Sequence, residues 1–168
     1  MKTRRITTMA LLTAVALILF IVEAQIPPPV PIPGVKLGLA NIITVFVLFR
    51  YGPRDALLVL LARILLGSAF AGSPVTLLFS LGGGLLCWLV MLPLRRILTE
   101  RQFWVCGVLG AMAHNLGQIA VCVAVYHTTA VLVYLPALLL AGMAAGLFTG
   151  LAAQFLLARL RKTAADKA

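Results

Sequence analysis

The feature that most constrains this chain is its division into long apolar segments, with most of its charge in the short connections between them and in the two terminal segments. Hydrophobic residues make up 62% of the 168 positions and charged residues only 11%. Soluble domains carry roughly a quarter of their residues charged, and one of this size could not bury so much apolar surface. The pattern therefore predicts a polytopic membrane protein whose solvent is lipid.

Six apolar segments predict six transmembrane helices in a single all-α integral membrane domain covering residues 1–168. We place the spans at about residues 6–22, 35–49, 54–70, 74–92, 103–126 and 130–157. Five prolines in the connection 23–34 remove backbone donors, so we expect a stiff, non-helical loop there. Pro53 is placed to open the third helix.

The net charge of +10 is concentrated at the ends of the apolar segments. Basic clusters occur at the N-terminus and after spans two, four and six, whereas the connections 23–34, 71–73 and 127–129 contain no Lys or Arg. By the positive-inside rule this alternation predicts that both termini are cytoplasmic. No exposed basic face remains for nucleic acid, so we expect no nucleic-acid binding. A cleaved signal peptide is disfavoured because the first apolar run is long and further spans follow.

The fifth span carries three polar residues in an otherwise apolar segment. At 100° per residue, His114, Asn115 and Gln118 fall within a sector of about 100°, together with small residues. An unpaired polar group in hydrocarbon costs several kcal/mol, so these side chains need a partner, water or a ligand. They predict either the wall of a polar cavity or a tight contact with neighbouring helices, and both interpretations stay open.

Other polar residues are predicted in the same non-cytoplasmic half of the bundle. We expect a ligand-binding pocket, open to the outside, to which the fifth span contributes along with Glu23, Gln25, Lys36, Asn41 and Arg63. Lys36 and Arg63 could instead snorkel to the interface, and Arg63 could pair with Glu23 or with an anionic ligand. These alternatives stay open as well.

Small residues recur every fourth position on two spans, which is typical of close helix packing in lipid. Gly142, Gly146 and Gly150 predict a contact inside this chain. Ala10 and Ala14 on the first span fit either an internal contact or the docking of a partner protein.

The motifs of several enzyme classes are missing from the sequence. It has no GxxxxGK[ST], HExxH or GxSxG motif, and its only aspartates are Asp55 and Asp166. We therefore expect no enzymatic activity of its own, no cofactor and no metal site. Cys87, Cys106 and Cys122 lie in apolar segments without CxxC spacing and are expected to be free.

Three stretches carry a family resemblance: residues 33–68, which include KLGLAN, residues 80–91, and residues 108–119, which include AHNLGQ. They resemble the bacterial Gx transporter family, also labelled heptaprenyl diphosphate synthase component I. That family is in turn similar to the substrate-binding S components of energy-coupling-factor vitamin transporters. The resemblance implies six helices, cytoplasmic termini and an outward pocket capped by the first loop. It also implies that Ala10 and Ala14 dock on a transmembrane coupling subunit attached to two ATPases.

The favoured hypothesis is therefore an S component of an importer in the bacterial cytoplasmic membrane. Its substrate would be a small molecule, with an anionic, isoprenoid- or vitamin-related compound compatible with Lys36 and Arg63. One alternative is a non-catalytic membrane subunit that tethers a polyprenyl diphosphate synthase. Another is a structural or electron-transfer-associated membrane protein without a ligand of its own.

Overall fold

The computed structural model describes residues 2–26, 38–99 and 102–165, and within these ranges it is helical with no β-strand. The helices are α1 (Lys2–Ala24), α2 (Asn41–Arg50), α3 (Pro53–Ala71), α4 (Pro74–Ile97), α5 (Phe103–Tyr126) and α6 (Leu135–Ala165). A 3₁₀ turn, Ala130–Tyr134, leads into α6. Pro53 stands in the first turn of α3, as the sequence predicts.

Four of the six helices in the described ranges, α1, α4, α5 and α6, are long and apolar enough to cross a membrane. This is the composition of a multi-pass membrane protein. The other two helices fall short for different reasons. With ten residues, α2 is about 15 Å long, half of a bilayer core. By contrast, α3 has sufficient length but carries three charged residues, Arg54, Asp55 and Arg63.

The predicted start of the second span is wrong for the residues that can be compared. We expected this helix to run over 35–49, whereas residues 38–40 form a turn and the helix begins at Asn41. Gly38 has φ +84°, in the left-handed region that glycine adopts without strain and that interrupts a right-handed helix. Residues 35–37 and most of the proline loop lie outside the described residues.

The short helix α2 lies at the centre of the bundle. Seven of its ten residues are buried, and it contacts all five of the other α-helices. Val45, Val47 and Leu48 belong to the main hydrophobic core, at 1% exposure or less. A half-length helix is compatible with a membrane where most of its residues are buried among other helices rather than exposed to lipid.

Glycines allow α4, α5 and α6 to approach at backbone distance. A Cβ added to Gly146 would lie 2.6 Å from the carbonyl oxygen of Gly107, and one on Gly150 would lie 2.6 Å from the Cα of Trp104. On the other side of α5, a Cβ on Gly117 would lie 2.7 Å from the carbonyl carbon of Gly82. The predicted packing role of the glycine row in the last span is confirmed, with α5 as its partner.

Three of the four basic clusters, at the N-terminus and after spans two and four, meet at one end of the bundle. Arg5 of α1 forms an ion pair with Asp55 of α3, with 2.6 Å between Nη2 and the carboxylate. The Trp88 indole of α4 donates to the carbonyl of Pro53 over 3.1 Å. A Cβ on Gly52 would lie 4.0 Å from a guanidinium nitrogen of Arg95. We call this end of the molecule the basic end.

Candidate ligand-binding site

A buried polar cluster lies away from the basic end, where the C-terminal part of α1 meets the N-terminus of α2. About 27 Å of helix separates Glu23 from Arg5. Six of the predicted site residues are at most 4% exposed. They come from four helices: Glu23, Asn41, Arg63, His114, Asn115 and Gln118.

Glu23 fixes the turn that precedes α2. One carboxylate oxygen accepts a hydrogen bond from the backbone N–H of Gly38, and the other accepts from the N–H of Leu39 over 2.9 Å. These N–H groups stand just before the first turn of α2, where a negative charge is also favoured by the helix dipole. The end of α1 and the beginning of α2 are thus joined through one buried carboxylate.

The turn at Gly38 brings Asn41 and His114 together. A Cβ at Gly38 would lie 2.8 Å from Asn41 Nδ2 and 3.6 Å from His114 Cδ2. On its other side the imidazole lies against α4, since a Cβ at Gly83 would lie 2.8 Å from His114 Cε1. Sequence reasoning missed both glycines; the only signal for Gly38 was its position in the KLGLAN stretch.

Arg63 places a guanidinium group in this buried environment. Its charge interacts electrostatically with Glu23 and with His114. Its Nε and Nη2 have no hydrogen-bond partner among the described residues. A buried guanidinium that leaves donors unused costs several kcal/mol, so water or a ligand at these donors would lower the free energy of the folded protein.

Two buried asparagines, Asn41 in the cluster and Asn115 on α5, have amide atoms without a hydrogen-bond partner among the described residues. Neither amide atom of Asn41 has a partner within the part of the chain described here. Asn115 Nδ2 donates to the carbonyl of Leu138 in α6 over 2.6 Å, while its Oδ1 is unpartnered there. Asn115 is therefore in part a helix contact, one of the two interpretations left open by the sequence.

The remaining predicted site residues differ in placement. Gln118 is 2% exposed. Gln25 is exposed at the end of α1 and is not brought into the cluster. Lys36 lies outside the described residues.

The cluster offers both donors and acceptors to a polar molecule. Arg63 and the Asn41 amide nitrogen supply donors, and the Asn41 amide oxygen supplies an acceptor. Over the described ranges, no group of three or more His, Cys, Asp and Glu side chains is arranged to hold a metal ion. The arrangement fits hydrogen bonding to a small polar molecule.

The fold and this cluster define a class: a multi-pass helical membrane protein with buried polar residues shared among several helices. A family model described as Heptaprenyl diphosphate synthase component I matches residues 12–156. The match covers most of the chain, which therefore belongs to that family. No curated protein and no solved structure matches the chain.

Proposed function

We propose that this protein is the membrane-embedded substrate-binding component of an energy-coupling-factor-type importer. The observation that carries the proposal is the cluster of Glu23, Asn41, Arg63 and His114, buried in a lipid-facing bundle with amide and guanidinium groups that have no partner among the described residues. Intramembrane polar residues are expensive and typically mark a substrate pathway. The protein binds and releases its substrate without chemical change.

A ligand at Arg63 and Asn41 would act on the connection between α1 and α2. It would compete with Glu23 for the charge of Arg63, and it would contact Asn41, the first residue of α2, directly after the turn that Glu23 holds. Binding would thereby shift the position of the loop entering α2. A ligand shifts the equilibrium between two conformations only if it binds one of them more tightly. Here the two conformations would differ in the position of this loop.

The outer face of α1 supports a partner-docking role. Ala10 and Ala14 are exposed, and large apolar side chains such as Leu11 and Ile18 flank them at 65% and 59% exposure. Small residues four apart let another helix approach closely in lipid. We propose that this face docks on a transmembrane coupling subunit that carries the ATPase subunits.

Docking is tested by affinity purification from the native membrane in mild detergent. Wild type is expected to recover a membrane coupling protein and ATPases, and the double variant Ala10→Leu/Ala14→Leu is expected to lose them. Ala120→Leu/Ala124→Leu is the matched control because both alanines are exposed four positions apart on α5. Equal recovery from both double variants would contradict docking through α1.

Ligand capture is tested by native mass spectrometry of the purified protein. Wild type is expected to retain a small molecule that Asn41→Leu lacks, since Leu fills the volume of the amide but cannot hydrogen-bond. Thr149→Val is the control: its hydroxyl is buried but donates within α6, to the carbonyl of Gly146 over 3.1 Å. Retention of the same molecule by Asn41→Leu would remove Asn41 from the site.

The family description favours one second candidate, a non-catalytic membrane subunit associated with a polyprenyl diphosphate synthase. The same purification separates the two. Recovery of a soluble prenyl diphosphate synthase in place of ATPases, unaffected by Ala10→Leu/Ala14→Leu, would support the second candidate against the first.

A further inference from the structure

We propose that a groove at the basic end binds the headgroup of an anionic phospholipid. The groove lies between the beginning of α3 and the end of α4 and has a volume of about 530 Å³. Three arginines line it, Arg54, Arg95 and Arg96, and its apolar surface includes Leu57, Trp88 and Leu92. It is separate from the polar cluster, and the inference does not depend on the proposed transport function.

The charge of the groove selects an anion. All three arginine side chains are exposed. Two acidic residues fall within the described ranges: Glu23 is at the other end of α1, and Asp55 is paired with Arg5 at 2.6 Å. Guanidinium groups match the oxygens of a phosphate in geometry as well as charge.

The apolar part of the groove selects a lipid over a free anion. Trp88 is held in place by the hydrogen bond from its indole to the carbonyl of Pro53, and tryptophan is enriched at the depth of lipid headgroups. Leu57 and Leu92 continue the apolar surface beside it. A phosphodiester at the arginines, with its acyl chains along these side chains, would use both halves of the groove.

Trp88 can report occupancy of the groove directly. The chain has two tryptophans, so Trp104→Phe leaves Trp88 as the only indole. This protein is reconstituted in phosphatidylcholine vesicles containing either brominated phosphatidylglycerol or brominated phosphatidylcholine, whose bromines quench fluorescence on contact. We expect brominated phosphatidylglycerol to associate at Trp88 about tenfold or more in preference to the zwitterionic lipid.

In the same background, the variant Arg95→Gln/Arg96→Gln is expected to show a preference for brominated phosphatidylglycerol that is about tenfold smaller. Arg4→Gln/Arg50→Gln removes the same charge from exposed positions that do not line the groove, and it should keep the preference. Equal quenching by the two brominated lipids, or an unchanged preference in Arg95→Gln/Arg96→Gln, would overturn the proposal.

A prenyl diphosphate shares the chemistry of a phosphate ester on an apolar chain, and a competition arm separates it from a phospholipid. Stoichiometric farnesyl diphosphate should leave the quenching by brominated phosphatidylglycerol unchanged. If it removes the preference, the phospholipid assignment is overturned and the groove is a prenyl diphosphate site.

Discussion

Glu23→Gln tests the connection between α1 and the turn before α2. The substitution keeps the size of the side chain but removes the charge and one of two acceptor oxygens, while Gly38 and Leu39 both donate to Glu23. Hydrogen bonds to a charged group contribute about 1.5–3 kcal/mol each and neutral ones about 0.5–1.5 kcal/mol. With one neutral bond kept, the free energy needed to open this turn falls by about 2.5–4.5 kcal/mol.

Hydrogen exchange measures this cost at the amides concerned. Because about 1.4 kcal/mol corresponds to a factor of ten, the amides of Gly38 and Leu39 should exchange roughly 60- to 1,500-fold faster in Glu23→Gln. Amides in the middle of α5 should keep their protection, which shows that the effect is local.

Gln25→Ala is the matched control, since Gln25 is exposed at the same helix end. Exposed positions of this kind usually change stability by about 0.5 kcal/mol or less, so exchange should stay within about threefold of wild type. A change of less than about threefold in Glu23→Gln itself would refute the conclusion that this carboxylate holds the turn.

Two further predictions concern stability in detergent, measured by thermal unfolding. Gly146→Leu should cost about 1–3 kcal/mol or more, because its Cβ would lie 2.6 Å from the Gly107 carbonyl oxygen and favourable contacts begin near about 3.5 Å. Ala144→Leu, at an exposed position on α6, should change little, and equal melting temperatures for the two would contradict the backbone-contact argument. Arg5→Gln should cost at most about 1 kcal/mol, since Arg5 is 61% exposed in its pair with Asp55. This cost should shrink at high salt; a cost independent of salt would contradict the ion-pair explanation.

The sequence predicted helix positions well wherever the change from apolar to polar residues coincides with the end of a helix. The fifth helix was predicted over 103–126 and runs over Phe103–Tyr126, because polar connections end its apolar run on both sides. The second helix was predicted to begin at 35 but begins at Asn41. Its start is set by the conformation of Gly38 and by the carboxylate of Glu23, fifteen residues away. Neither of these two determinants can be read from the hydrophobicity of the neighbouring residues.

Helical periodicity placed the polar residues of α5 on one face, and the structure buries all three of them. It could not reveal that Asn115 contacts Leu138, because that contact depends on how α6 is seated against α5. Nor could it show that Gln25 is exposed while Glu23, two residues earlier, is buried. The groove at the basic end was missed for a similar reason: its arginines lie about 40 residues apart in the sequence, at the start of α3 and the end of α4, and only the packing of α3 on α4 joins them.

The glycine contacts divide the molecule into parts of unequal rigidity. Along Gly82, Gly117, Gly107 and Gly146, the three C-terminal helices touch main chain to main chain, and no rotamer change can relieve such contacts. The three N-terminal helices have fewer such constraints; α1 meets α3, for example, through the ring of Phe20. We therefore expect α4–α6 to move as one rigid unit. Any opening that admits a ligand should form at the interface between this unit and α1–α3.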